Sequence, residues 1–120
     1  MTAPLEVTPE VRAALAAGQP VVALESTIIS HGFPYPDNLA LGREMESVVR
    51  DVGAVPATIA VAGGVIHVGV DDALLERLAS EPSVAKVSRR NLGATLARGE
   101  LGATTVAATM LCAHLAGIRV

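Results

Sequence analysis

A chain of 120 residues fits one domain and is long enough to bury a core of its own. Its formal net charge of −3 argues against a nucleic-acid face, which needs clustered basic residues, and its single cysteine excludes an internal disulfide framework. At 51% hydrophobic residues it carries more apolar surface than so small a domain can hide, so a larger fold or an oligomer is expected to cover the excess.

The first ten residues, MTAPLEVTPE, have no basic region followed by an apolar one, so no secretory leader is expected there. Thr8-Pro9-Glu10 reads as a helix cap, a proline at the first helical position and an acid in the first turn, with a short helix running toward Gly18. Residues 20–24 form an unbroken apolar strand of the kind covered on both faces. A polar loop follows, and Asp37 then starts a helix whose expected buried face is Leu41, Met45, Val48, Val49 and Val52, closed by Gly53. Residues 57–70 read as two strands around Gly63-Gly64, a β-hairpin. Asp71 caps a short helix, and residues 84–87 form the next strand. Ser88 starts a helix running to about Ala97. Gly102-Ala103-Thr104-Thr105 leads into an Ala-rich helix ending at Gly117. The stretch 101–118 is rich in Ala, Gly and Thr and reads as a buried helix rather than a membrane span. Residues 118–120 begin another strand. Strand–helix alternation predicts an α/β fold with a mainly parallel sheet and one β-hairpin, incomplete at the C-terminus.

Two places gather chemistry. Strand 20–24 ends at Glu25 and breaks into a loop carrying Phe33 and Tyr35, the only large aromatics in the chain. A carboxylate at the carboxyl end of an apolar strand is where open α/β sheets build sites. Glu25 has two readings: a proton donor, or a carboxylate that accepts backbone N–H bonds and pins the 26–30 loop. Phe33 and Tyr35 either close over a flat ring or wedge the loop against the body. Lys86, the only lysine against eight arginines, ends the later strand and is expected at the same rim as Glu25. It reads as a nucleophilic amine, a phosphate contact or a charge kept for solubility. Ser88-Arg89-Arg90 and Gly102-Ala103-Thr104-Thr105 each fall at an expected helix start, where free N–H groups favour phosphate, or else simply cap the helix. His31, in the site loop, is the one histidine of interest. His31, His67 and His114 lack metal-ligand spacing. Cys112 lies in an apolar stretch and reads as an inert core residue.

ALESTIISHGFPYP, GAVPATIAVAGGVIHVG, VAKVSRRNL and GATTVAATMLCAHLAGIRV, in that order, resemble the pseudouridine-5'-phosphate glycosidases, the pseudouridylate synthases that include the indigoidine-synthase-A-like proteins. The resemblance runs from about Pro20 onward. It makes residues 1–120 the amino-terminal part of a single such domain, well under half of a family member. It implies an αβα layered fold, a homotrimer, a cytoplasmic location, and no nucleic-acid or membrane partner. The implied reaction is reversible cleavage of the C–C bond of pseudouridine 5'-phosphate to uracil and ribose 5-phosphate. A carbon leaving group is not expelled by protonation alone, so family members use a lysine imine as electron sink and a carboxylate to handle the proton. Carried over by motif, Glu25 is the proton donor, and Lys86 and Val106 contact substrate. Ser88, Arg89, Thr104, Thr105 and His31 remain candidate phosphate or loop contacts. The nucleophilic lysine and the ligand of a divalent metal, typically manganese, lie beyond Val120 in family members, so none of the residues here is expected to bind metal. The segment by itself is then expected to be inactive. The alternative is a truncated, non-catalytic fragment that acts only through ligand or partner-chain binding.

Overall fold

The computed structural model describes residues 4–120. In chain order its elements are β1 (Leu5–Val7), α1 (Pro9–Ala16), β2 (Val21–Leu24), a π-helical turn (Ile28–Gly32), α2 (Asp37–Asp51), β3 (Val55–Ala62), β4 (Val65–Val68), α3 (Asp72–Ser80), β5 (Ala85–Val87), α4 (Leu92–Arg98), β6 (Gly102–Thr104) and α5 (Val106–Ala116). They form one six-stranded sheet in the order β1-β4-β3-β6-β5, with β2 also paired to β3.

The apolar run of β3 is the centre. Every residue from Pro56 to Ala62 is buried, as expected of a strand covered on both faces. Side chains alternate across it. Ala57, Ile59 and Val61 enter one core with Val11 and Ala14 of α1, Leu92 of α4, and Ala108 and Cys112 of α5. Ala60 and Ala62 enter a second core with Leu39 of α2, Leu74, Leu75 and Leu78 of α3, and Ile29 of the π-turn. Helices therefore cover both faces, giving the αβα layering.

Local chemistry sets the element ends. Pro9 occupies the first turn of α1. The Asp71 side chain accepts from Leu74 N–H and caps α3, and Thr105 accepts from Ala108 N–H and caps α5. Gly63 and Gly64 both take positive φ, +59° and +78°, which a two-residue hairpin turn requires.

Three pairings are parallel, β1 with β4, β2 with β3 and β5 with β6. Two are antiparallel, the hairpin β3 with β4 and the long-range pair β3 with β6. That second antiparallel pair places the site. β2 runs along β3 beside Val55–Thr58, while β6 runs the opposite way beside Ala60 and Val61. The carboxyl ends of β2 and β6 consequently point at each other.

Several expectations are corrected. β1 was not foreseen; three residues are too short for a periodic signal, and only pairing with β4 makes them a strand. Residues 102–104 lead into the final helix as expected but also form an unforeseen buried strand, because Gly102 lets β6 lie closer to Val87 of β5 than a side chain would permit. The helix expected from Ser88 starts at Leu92, since the Asn91 carboxamide accepts from both the Ser88 N–H and its hydroxyl and holds a turn there. In α2 the buried residues are Asn38, Leu39 and Gly42, whereas Val48 and Val52 are 57% and 79% exposed. Residues 118–120 form no regular strand, though the Val120 carbonyl accepts from Ala23 N–H beside β2.

Candidate functional site

Glu25 follows directly on β2 and is half-buried. Its carboxylate receives Thr27 N–H on one oxygen at 3.0 Å and Ile28 N–H on the other at 3.2 Å. Each carboxylate oxygen offers two lone pairs, so one on each is spent on the π-turn and one on each is left over. The same contacts that pin the loop therefore orient the acid, and the two readings of Glu25 are geometrically compatible.

The π-turn is fastened from the other side as well. The Asn38 carboxamide donates to the Ile29 and Ala79 carbonyls, both at 2.8 Å, and Ser30 donates to the Leu78 carbonyl at 2.8 Å. Asn38 is 2% exposed, and a buried amide of this kind is tolerated because its hydrogens are satisfied. Glu25 thus rests on a loop tied to both α2 and α3.

A cleft of about 660 Å³ opens beside β2. Leu24, Glu25, Met45, Val106, Thr109 and Met110 line it, with His114, Arg119 and Val120. Glu25 and Val106, 81 positions apart in sequence, face this one space. Val106 is the first residue of α5, directly after its Thr105 cap. A second cleft, about 400 Å³, lies by Glu6, Thr8, His67 and Arg77 and includes none of the candidate residues.

Lys86 is not among the residues lining the Glu25 cleft. It is exposed on β5, in register with Ala103 of β6, and the Asn91 carboxamide donates to its carbonyl. Its expected position on the same rim as Glu25 assumed that β2 and β5 run in one direction. The antiparallel β3–β6 pair reverses β5 and β6 relative to β2, so the two strand ends face each other instead of lying side by side.

The candidate anion contacts separate. Thr104 is fully buried, and its hydroxyl bonds the Ile59 carbonyl and Thr109, so it cannot hold a phosphate. The Thr105 side chain is a helix cap. Ser88 is held by Asn91, while Arg89 is exposed in the turn before α4. His31 is exposed on the π-turn and does not line the cleft. Phe33 and Tyr35 are about half exposed, at 52% and 51%, rather than wedged into the body. Tyr35 O–H donates to Glu76 at 2.8 Å, which raises the phenol above its ordinary value because ionisation would break that bond and set two negative charges together. Cys112 is buried, and desolvation pushes its thiol up to about 11.

Sequence reading missed Met45, Thr109 and Met110 as cleft residues. Met45 was expected inside the core, and an Ala-rich helix such as α5 gives no periodic sign of which face stays open. Among the described residues, no three His, Cys, Asp or Glu side chains come together to hold a metal ion. No helix among them is long and apolar enough to cross a membrane.

Comparison with known proteins agrees with this architecture. The family model described as indigoidine synthase A like protein matches residues 10–120. The chain is similar to the pseudouridine-5'-phosphate glycosidase of Jannaschia sp. (strain CCS1), 61% identical over 120 residues that make up all of this chain and 40% of that protein. It is also 61% identical over 118 residues to the pseudouridine-5'-phosphate glycosidase of Paracoccus denitrificans (strain Pd 1222), covering 97% of this chain and 39% of the relative. The chain therefore spans about 40% of the length of these curated relatives. Among solved structures it superposes on a prealnumycin C-glycosynthase in complex with ribulose 5-phosphate, with a TM-score of 0.86, 48% identity, and coverage of 97% of this chain and 37% of the other. An indigoidine synthase A-like protein from Thermotoga maritima gives a TM-score of 0.84 at 31% identity, over 98% of this chain and 38% of its own.

Proposed function

The chain belongs to the indigoidine synthase A-like family, and from that membership we propose that it serves the reversible cleavage of the C–C glycosidic bond of pseudouridine 5'-phosphate, giving uracil and ribose 5-phosphate. Glu25 is the proposed proton donor, delivering a proton to the uracil carbon as its bond to the sugar carbon breaks. Lys86 and Val106 are the proposed substrate contacts, and the imine-forming amine is a lysine other than Lys86. The names of relatives similar over the whole chain support the substrate class, and so does the sugar phosphate bound by the C-glycosynthase.

One observation carries this reading: Glu25 and Val106, from motifs far apart in the sequence, line a single cleft. Its wall of Leu24, Met45, Val106 and Met110 suits the apolar faces of a flat base. Lys86 has no ion-pair partner among the described residues, so its charge is available to a substrate anion. A divalent metal, manganese, is proposed for the complete enzyme, held by a ligand other than the residues described. A homotrimer is the proposed assembly, with sedimentation as its test, and a cytoplasmic location is proposed with it.

Uracil release from pseudouridine 5'-phosphate is the decisive assay. In the complete enzyme, Glu25→Gln keeps the side chain's size and is expected to lower turnover by roughly 10²-fold or more without unfolding the protein. Near-normal turnover in a folded Glu25→Gln variant overturns the role. The second reading is a fragment that acts through ligand or partner-chain binding without turnover. Calorimetry with pseudouridine 5'-phosphate, together with a check for a soluble oligomer, separates the two: tight oligomers without ligand heat select the second reading.

A further inference from the structure

Where β2 and β6 meet head to head, two hydroxyls converge on one carbonyl inside an otherwise apolar core. Ser26 Oγ donates to the Ile59 carbonyl at 2.6 Å, and Thr104 Oγ1 donates to the same oxygen at 2.8 Å. Thr104 N–H donates to Ser26 Oγ at 2.8 Å, and Ser26 N–H donates to the Thr104 carbonyl at 3.1 Å. Both hydroxyl hydrogens are thereby spent. The 2.8 Å contact between Thr104 Oγ1 and Thr109 Oγ1 must then be donated by Thr109. Ser26 and Thr104 are both 0% exposed.

Hydroxyls in such a place are costly unless every one is paired, and a network this complete fixes one geometry. Its ends are informative. Ser26 is bonded in the chain to Glu25, Thr104 stands two residues before Val106, and Thr109 itself lines the cleft. A regular strand ladder cannot join two chain ends that approach from opposite directions, so side-chain hydroxyls make the join.

We infer that Ser26 and Thr104 are positioning residues: by clasping the Ile59 carbonyl together they hold Glu25 at a fixed separation from the cleft wall at Val106 and Thr109. This rests on the reading of Glu25 as the proton donor. A displacement of about 1 Å in a reacting group costs on the order of 10²-fold in rate, so a fixed spacing is what such a site requires.

The test needs no turnover, so its outcome is separate from that of the Glu25→Gln assay. Amide hydrogen exchange is measured by NMR at Thr27 and Ile28, the two N–H groups that Glu25 accepts, and across the β3–β4 hairpin as a reference for global stability. Thr104→Val, which removes the hydroxyl at constant shape, is expected to speed exchange at Thr27 and Ile28 roughly ten-fold beyond any change in the hairpin. Thr104→Ser, which keeps the hydroxyl, is expected to restore it. Exchange at Thr27 and Ile28 that rises no more than in the hairpin makes the clasp a matter of fold stability alone and overturns the inference. Should Thr104→Val not fold, Thr109→Val, which removes the outer donor, is read by the same two outcomes.

Discussion

At the scale of single residues, the protein shows how one contact decides what a side chain can do. Glu25 and Tyr35 lie ten positions apart, and each has its polar group engaged. Glu25 accepts from its own loop, whereas Tyr35 donates to a carboxylate on α3. Tyr35 is the only tyrosine and there is no tryptophan, so its ionisation can be followed cleanly by ultraviolet absorption. Its phenol is expected to titrate above 10.0, and Glu76→Gln to bring it back toward that value, because the variant removes the acceptor's charge. A titration that is the same in both proteins would show that the Tyr35–Glu76 bond does not persist in solution.

At the scale of elements, close approach governs the sheet. A Cβ on Gly102 would collide with Val87 Cγ2 and press on Thr95 Cγ2 at 3.3 Å, so β5, β6 and α4 pack together only around a missing side chain. Gly102→Ala is expected to destabilise the fold by about 1–3 kcal/mol through overpacking, read as a lower urea midpoint. Gly93, within α4, has nothing within 4 Å of the corresponding position. Gly93→Ala is expected to be neutral or stabilising by up to about 1 kcal/mol, since alanine loses less backbone entropy in a helix. Equal effects from the two substitutions would contradict this account of the β5–β6 contact. The turn at Ser88 makes a related point: one Asn91 side chain delays a helix by several residues, an effect that propensity alone does not reveal.

At the scale of the whole molecule, two helical layers are joined around the sheet and also tied outside it. Arg50 near the end of α2 donates to Glu10 of α1 at 2.9 Å. The hydrogen bond and charge of Arg50 lower the Glu10 carboxyl from 4.5. A carboxyl lowered on folding adds stability that is present above its unfolded value and lost as pH falls through its folded value. Both side chains are about half exposed, so the contribution is expected to stay below about 1 kcal/mol. Glu10→Gln should therefore cost a small amount at neutral pH, and the difference in melting should vanish in acid below the folded value. A gap that persists there would assign the effect to packing instead of charge. The same scale explains the excess of apolar residues. Leu24, Leu41, Met45 and Val48 form a shallow apolar depression beside the Glu25 cleft, and Met110 across the cleft is 67% exposed.

Much of this was legible along the chain. The β-branched run into Glu25, the Gly63-Gly64 hairpin, the Asp71 cap and the Ala-rich final helix are local signals, set by side-chain sterics and backbone hydrogen bonding within a few residues. They determined the α/β class, most of the helices and strands other than β1 and β6, and the choice of Glu25 as candidate, and four motif blocks in series determined the family. Tertiary structure alone decided which strands run opposite to which, and hence that Glu25 meets Val106 while Lys86 lies on a strand beyond. It also turned Thr104 from a ligand contact into a buried clasp and moved the buried face of α2 onto Asn38, Leu39 and Gly42. Those outcomes depend on which partner each surface finds, and that choice is made between segments tens of residues apart, where no local pattern can record it.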